Sequence, residues 1–580
     1  MKARLQRELA QDILSREVGY VRKPHANRLR IALIFPNTYF VGMSNLGFQT
    51  IYRLFNDHPD IVCERAFLPP KQELAALRDA GTRIVTLESQ TPVRDFDVIA
   101  FSVSFEWDYT NVLTMLRLAG VPVRAADRDH TQPLVVIGGA VTFVNPEPLA
   151  LFADVIAAGE GEALVPALVD AFGTSSRREQ LQRLALARGY YVPSFYDVEY
   201  QSDGTIARYI PREGTGAPAV VRKAALKTTE AVDPPSTTIF TPDTEFGSRF
   251  LVEVVRGCAN LCRFCWAGYN YLPVRAFPAN RILALAHAAR AHSSRAGLVS
   301  IALCDHPDIE HILRSLKDMG YSISPASLRL DDLTPAIVSL LQASGERTLT
   351  IAPETGSDRL RRVINKTVTN AEILEKADLI FSSGIESLKL YYMIGLPTED
   401  DADLVAIRDL TMQLHETMLT YARPRGRIGR IVASVNPLVP KPGTAYQWLP
   451  MERADAIERK MTRLRTLVAG IDNVYFNIKS ERHSYYQALL SLGDRRIAPA
   501  IELAEANGGQ WRKAVADAGV DGDFYIYRDR TNDTVLPWSI IDGGMKEPFF
   551  RAEFEKSTRA EWTLPPKRAK ENAGLLPVLN

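Results

Sequence analysis

Short runs of consecutive apolar residues alternate with helically spaced segments along the first 170 positions. Leu29–Phe35, Phe96–Val103, Pro133–Ile137 and Asp154–Ala158 are such runs, and helical patterns lie around Gln49–Asn56 and over Tyr109–Ala119. Apolar strands alternating with helices imply a parallel, doubly wound sheet. The third run ends in Gly138-Gly139 and the fourth in Gly159-Glu160-Gly161-Glu162. Ligands of such sheets sit at the carboxyl ends of the strands, where glycine lets the backbone turn sharply or approach a ligand.

Farther on, the polar turn Ser202-Asp203-Gly204 between extended segments predicts a hairpin. The stretch Lys223–Gly247, rich in Thr, Pro and Asp, reads as a linker over the surface. From Phe250 strands and helices alternate again, with strands expected over 250–255, 298–303, 327–330, 348–351, 387–394 and 428–435. Six parallel strands with intervening helices make a partial TIM-like barrel, whose catalytic groups would lie at the strand carboxyl ends. The predicted fold class is therefore α/β. A Rossmann-like doubly wound domain spans 1–189, a hairpin and linker 190–247, a partial (β/α)6 barrel 248–470 and a small C-terminal accessory domain 471–580.

Composition adds exclusions. The chain has 580 residues, too many for one ordinary domain. A formal net charge of +1 gives no electrostatic case for nucleic acid or a membrane surface, although a local basic groove for RNA can hide in a neutral total. No stretch approaches the ~18 apolar residues of a spanning helix, and the N-terminus lacks the apolar core of a signal peptide. Cys63 and Cys304 stand far apart and suggest no disulfide framework, so a reducing, cytoplasmic setting is expected.

The other three cysteines carry the chemistry. Cys258, Cys262 and Cys265 form a C-x3-C-x2-C run. Three thiolates can hold three irons of a [4Fe–4S] cluster, leaving the fourth iron open to a small molecule. A structural zinc site needs four ligands, typically as two spaced pairs. The next Cys or His is His287, which has no partnering pair. A noncatalytic iron–sulfur or zinc protein is the alternative from another class, and buried cysteines used as small hydrophobes are the plainest one.

With Phe264 just before its third cysteine, this loop resembles the cluster loop of radical S-adenosylmethionine (SAM) enzymes. Ala352–Ser357, Met393–Glu399 and Asn436–Thr444 resemble the exits of the fourth, fifth and sixth barrel strands of that superfamily. Phe35–Gly47, Gly138–Pro148 and Gly159–Glu162 resemble the cobalamin-binding-like domain that precedes the barrel in many of its members. Tyr486–Arg496 and Val535–Trp538 resemble pieces of one subgroup carrying that domain.

The resemblance implies a [4Fe–4S] cluster on the three cysteines, with SAM chelated by its open iron through amino and carboxylate groups. Electron transfer, from a reductant such as flavodoxin or ferredoxin, then releases a 5′-deoxyadenosyl radical that abstracts hydrogen from a substrate the sequence does not name. Phe264 would set its backbone near the adenine, or is a core aromatic. Glu354 would bind the SAM ribose or amino group, or is a helix-start carboxylate. Arg329 would grip the SAM carboxylate through a bidentate fork, or pair with Asp331 or Asp332. Gly138, Gly139, Gly159 and Glu160 would border cobalamin. Cys304 and His306 would be catalytic groups, or are a buried cysteine and a structural histidine. One of Tyr391 and Tyr392 points into the barrel by strand alternation.

Two departures stand out. None of the nine histidines has Asp two positions before it, so the Asp-x-His-x-x-Gly signature of cobalamin binding is absent. Cobalamin therefore binds without that axial histidine, or the domain has lost it. The usual Gly-Gly-Glu-like loop after the second barrel strand is replaced by Leu303–Pro307. With methylcobalamin the expected outcome is C-methylation; without it, rearrangement, cyclisation or coupling. No cysteine lies near Thr563–Pro566, so a second cluster in the tail is not expected.

Overall fold

The computed structural model describes residues 2–563 except 82, 174–175, 326–327, 331–332 and 479. In the N-terminal domain β1 (Leu29–Phe35), β2 (Ile61–Phe67), β3 (Val98–Ser102), β4 (Leu134–Gly138) and β5 (Val155–Ala157) run parallel in the order β2-β1-β3-β4-β5. β6 (Tyr190–Tyr191) closes one edge antiparallel. The strand order reverses at β1 and β3, the switch point where doubly wound sheets open a crevice.

β2 was not expected. Its sequence, Ile-Val-Cys-Glu-Arg-Ala-Phe, breaks the apolar run with Glu64 and Arg65. Both are buried because both are paired: Arg65 with Glu17 and Glu88 at 2.6 Å each, and Glu64 with His25 at 2.7 Å. Buried charges persist when a partner compensates them.

The hairpin forms as β7 (Tyr196–Tyr200) and β8 (Ile206–Pro211). The linker is more than a surface strap, because Val221 of β9 (Val221–Arg222) and the neighbouring Lys223 and Ala224 are buried.

The barrel falls into two sheets. β10 (Phe250–Arg256), β12 (Arg295–Ser300) and β13 (Ser322–Pro325) run parallel, with a short antiparallel β11 (Arg275–Ala276) at the edge. β14 (Thr348–Glu354), β15 (Ser387–Ile394), β16 (Ile431–Pro437) and β17 (Val474–Ile478) form the parallel second sheet. No ladder joins β13 to β14 among the described residues. Three expectations are corrected. The second strand lies at 295–300 rather than 298–303, because Ala302 and Leu303 bury themselves in the exit turn instead of the ladder. The third lies at 322–325, before the expected 327–330, whose Ser327 is outside the described residues. β17 extends the barrel past residue 470.

The C-terminal helices pack across the N-terminal domain, sharing its hydrophobic core, with Arg124–Glu502 and Arg495–Glu147 ion pairs at 2.7 and 2.8 Å. β18 (Ile541–Asp542) pairs with β9 and ties this region to the linker. Among the described residues no helix is long and apolar enough to cross a membrane.

Candidate functional site

The cysteine loop leaves the carboxyl end of β10. Gly257 makes the turn at φ +96°, and a Cβ there would stand 2.5 Å from the Tyr271 carbonyl oxygen, so glycine is needed for this close approach. Leu261 bends the loop again at φ +49°. Cys265 then caps the helix Trp266–Asn270, its N–H donating to the Cys262 carbonyl at 2.9 Å. All three thiols are free, with Cys258 and Cys262 buried and Cys265 half-buried. Burial pushes the Cys262 thiol pKa up and nearby Lys366 pulls it down. Burial likewise raises that of Cys265. Among the described residues no three His, Cys, Asp or Glu side chains converge closely enough to hold a single metal ion.

Two cations border the loop. Arg329 lies beyond the end of β13, not on a strand. Its fork is held by Asp305, at 2.6 and 3.1 Å, while Nη1 also lies 3.4 Å from Asn260 Oδ1 and 3.9 Å from Cys258 Sγ. Asp331 and Asp332, the expected partners, are outside the described residues. Lys366 lies 3.3 Å from Glu354, at the end of β14. Glu354 adopts φ +66°, a left-handed conformation unusual for a side chain of its size. Burial raises its carboxyl pKa and Lys366 partly offsets this. Lys366 and Asp305 were not foreseen. Asp305 was overshadowed by its neighbours Cys304 and His306, and nothing local marks Lys366.

His306 is structural. Its Nε2–H donates to the Phe277 carbonyl at 2.7 Å, Nδ1 accepts from the Asp308 N–H at 2.9 Å, and burial lowers its pKa. Phe264 packs half-buried against the apolar group containing Leu360, Leu396 and Leu438. Tyr392 faces outward, buried, with its hydroxyl 3.1 Å from Thr411 Oγ1. Tyr391 faces the barrel interior, 45% exposed. Asn436 shares that inner face on β16, and its Oδ1 is buried without a hydrogen-bond partner.

A cavity of about 470 Å³ lies between the two main domains, within the range of small-molecule cofactor sites. Ser102, Gly138 and Ala157 bound it from the ends of β3, β4 and β5, and Val255, Gly257 and Val299 from the barrel. Among the described residues no histidine lines it. The four expected residues differ in what they do there. At Gly138 an added Cβ would meet nothing closer than 3.7 Å, so this position opens on the cavity. A Cβ at Gly139 would stand 2.2 Å from the Val103 carbonyl oxygen, and one at Gly159 2.1 Å from that of Ala224. Those two glycines are required by close backbone packing and, like Gly138 and Glu160, also line the cavity. Glu160 gives its carboxylate to Arg275 at 2.6 Å, to Arg256 at 3.1 Å and to the Leu226 N–H at 2.9 Å, joining the domain to barrel and linker. Burial works against its ionisation, but the arginines outweigh it and hold its pKa below the ordinary range.

Residues 252–411 match the family model of the radical SAM superfamily, and residues 47–193 that of radical SAM proteins, N-terminal. The chain is 26% identical over 480 residues to an uncharacterised protein of Methanocaldococcus jannaschii, covering 82% of this chain and 91% of that one. Among solved structures it is similar to TsrM from Kitasatospora setae, a radical SAM methyltransferase with cobalamin and a [4Fe–4S] cluster bound. That match has 12% identity and a TM-score of 0.49, and covers 92% of this chain and 99% of the other. It is also similar to OxsB, a cobalamin-dependent SAM radical enzyme with aqua-cobalamin bound, at 13% identity and TM-score 0.44 over 66% and 52% of the two chains.

Proposed function

For a chain that belongs to the radical SAM superfamily and carries a cobalamin-binding-like N-terminal domain, we propose that reductive cleavage of SAM is joined to a cobalamin seated between the two main domains, with C-methylation of the substrate as the outcome. The observation that carries this is the cavity: strand ends of both domains open on it, and Gly257, the root of the cysteine loop, forms part of its wall.

The three thiols fit the cluster, and the cavity, smaller than a whole cobalamin, fits part of that group. Three free thiols on one loop suit a cluster with an open iron, and Lys366 and Arg329 bring positive charge to an anionic, thiolate-bound group. The cavity wall is largely apolar, open at Gly138 and without a histidine to approach cobalt. When bound, the cluster supplies one electron to SAM and the cobalamin a transferable methyl group. The chain's own groups position and exclude. Cys258, Cys262 and Cys265 hold the cluster. Glu354, locked by its backbone and by Lys366, presents a carboxylate for the SAM ribose or amino group. Arg329, already held by Asp305, acts with it as one unit rather than as a free fork. Phe264 offers its backbone toward the adenine. The apolar cavity wall keeps water from the reacting groups. Flavodoxin or ferredoxin is the expected reductant, in a reducing cytoplasm.

A second outcome, radical chemistry without methylation, draws on Gly139 and Gly159 being required by backbone packing whether or not a ligand fills the cavity they also line. The domain would then be retained as a scaffold.

Anaerobic reconstitution should give about four irons per chain, bound cobalamin, and 5′-deoxyadenosine when SAM and reductant are added. Stoichiometric zinc with no iron chromophore would sink the cluster assignment. A chain that cleaves SAM but binds no cobalamin would sink methylation and leave the scaffold outcome.

A further inference from the structure

The last described helix, Glu547–Thr558, runs behind the cysteine loop. Phe550, Glu553 and Ser557 recur at i, i+3 and i+7, so they share one face, and all three are buried. A carboxylate on a buried stripe is costly unless it is paired. Its partner is Arg263, which lies between Cys262 and Cys265.

Arg263 is fully buried. Its guanidinium lies 3.2 Å from Glu553 Oε2 and donates to the carbonyls of Arg362 (2.8 Å), Val363 (2.9 Å) and Glu561 (2.7 Å). Two of these four acceptor residues come from the C-terminal segment. The same segment grips the loop elsewhere. Asn365 donates to the Asn260 and Leu261 carbonyls at 3.2 Å each and accepts from the Thr563 N–H at 2.9 Å. Tyr269, one helical turn past Cys265, donates to the Leu261 carbonyl at 3.1 Å and packs on Phe550 with ring centroids 5.3 Å apart. Glu553 is itself oriented by Thr563 Oγ1 at 2.5 Å and Lys556 Nζ at 3.0 Å.

We propose that residues 547–563 are part of the cluster site, with Glu553, acting through Arg263, as the positioning residue for the Cys262–Cys265 turn. The inference rests on the cluster assignment made above. Cluster ligands are tuned by the groups that orient them, and here the orienting carboxylate comes from the far end of the chain.

Glu553→Gln keeps the size of the side chain and removes its charge. Because an unpaired buried Arg263 can unfold the chain, a second variant replaces both partners with apolar groups, Arg263→Leu with Glu553→Leu, an exchange that buried ion pairs often tolerate. Each full-length variant is reconstituted anaerobically. Iron loss to bathophenanthroline disulfonate and the electron paramagnetic resonance spectrum of the reduced cluster are then compared with wild type. Both variants should take up iron yet lose it at least tenfold faster, with a broadened or shifted spectrum. The double variant leaves the Arg362, Val363 and Glu561 carbonyls without their donor, so its urea midpoint is read beside its iron loss, and Glu553→Asp should restore part of the wild-type behaviour. Wild-type iron retention and spectrum in both variants would overturn the proposal. So would iron loss that only follows unfolding in both. Failure of the wild-type chain itself to take up iron would instead overturn the cluster assignment and this inference with it.

Discussion

In the N-terminal sheet Ile31 to Phe35 of β1 are buried without a break, whereas along β15 burial falls on alternate residues: Leu388, Leu390, Tyr392 and Ile394 are buried, and Lys389 and Tyr391 are exposed. β14 and β16 repeat the alternation, with Thr350, Ser434 and Asn436 on the inner face. Both sheets are parallel apart from the edge strand β6 of the first. The first is covered by helices on both sides and packs itself, as such sheets usually do. The second is covered on one side only, and its other face is polar. In the first domain only the strand ends are free for chemistry. In the barrel the inner face of β14, β15 and β16 leaves a row of side chains uncovered as well.

The largest test of that division is at the cysteines. Cys262→Ala should remove all iron and all SAM cleavage while leaving the N-terminal domain folded, as iron analysis and circular dichroism would report. The Cys63→Ala, Cys304→Ala double variant should keep both activities; iron lost in it would mean that a fourth thiolate closes the cluster.

Next in size come paired strand substitutions. Ile137→Ala, in the fully buried centre of β4, should cost about 2–5 kcal/mol. Ser434→Ala, on the inner face of β16, should lie within about 0.5 kcal/mol of wild type. Urea midpoints decide, and equal costs would erase the contrast between the sheets. The glycines divide the N-terminal domain further. Gly139, at φ +105° and against Val103, should lose about 2–4 kcal/mol as alanine. Gly138→Ala should stay within about 1 kcal/mol, whereas Gly138→Leu should reduce cobalamin retention and spare the cluster.

A further test concerns a polar group inside the self-packed region. Burial raises the Asp108 carboxyl to about 6, with Asn37 and Asn111 pulling it down. A raised acid costs nothing below its unfolded value of about 3.9 and its full amount above about 6, so stability falls as pH rises through that window. Asp108→Asn should therefore be about 1–2 kcal/mol more stable than wild type at pH 8. The difference should shrink toward pH 4 in urea titrations, and a variant less stable at pH 8 would show that the ionised carboxylate is needed. Glu354, also raised by burial, has Lys366 beside it and should gain no such stability as Gln.

What the sequence revealed follows the same division. β1, β3, β4 and β5 were legible because continuous apolar runs mark strands covered on both sides. β2 was not, since the pairing of Glu64 and Arg65 is made by residues distant in sequence. β17, Val474–Ile478, was missed because its alternating pattern is short and adjoins a helix. The cysteine triad was readable from spacing alone. Its setting was not: Asp305, Lys366 and Glu553 reach the loop only through the fold, and a lone carboxylate in a helix carries no local mark of burial. The glycines all line the cavity, but the sequence does not tell which of them is also required by a neighbouring backbone, because a positive φ and an opening toward a ligand look alike there.

The Arg263–Glu553 contact also sets an order in time. The two residues are separated by 290 positions. At synthesis rates of ~5–20 residues per second, the cysteine loop leaves the ribosome roughly 15–60 s before its closing carboxylate exists. During that interval the triad is present but its backbone is not yet gripped from behind. A nascent chain that ends before this helix therefore lacks the contacts that Glu553, Glu561 and Thr563 make on and beside the loop.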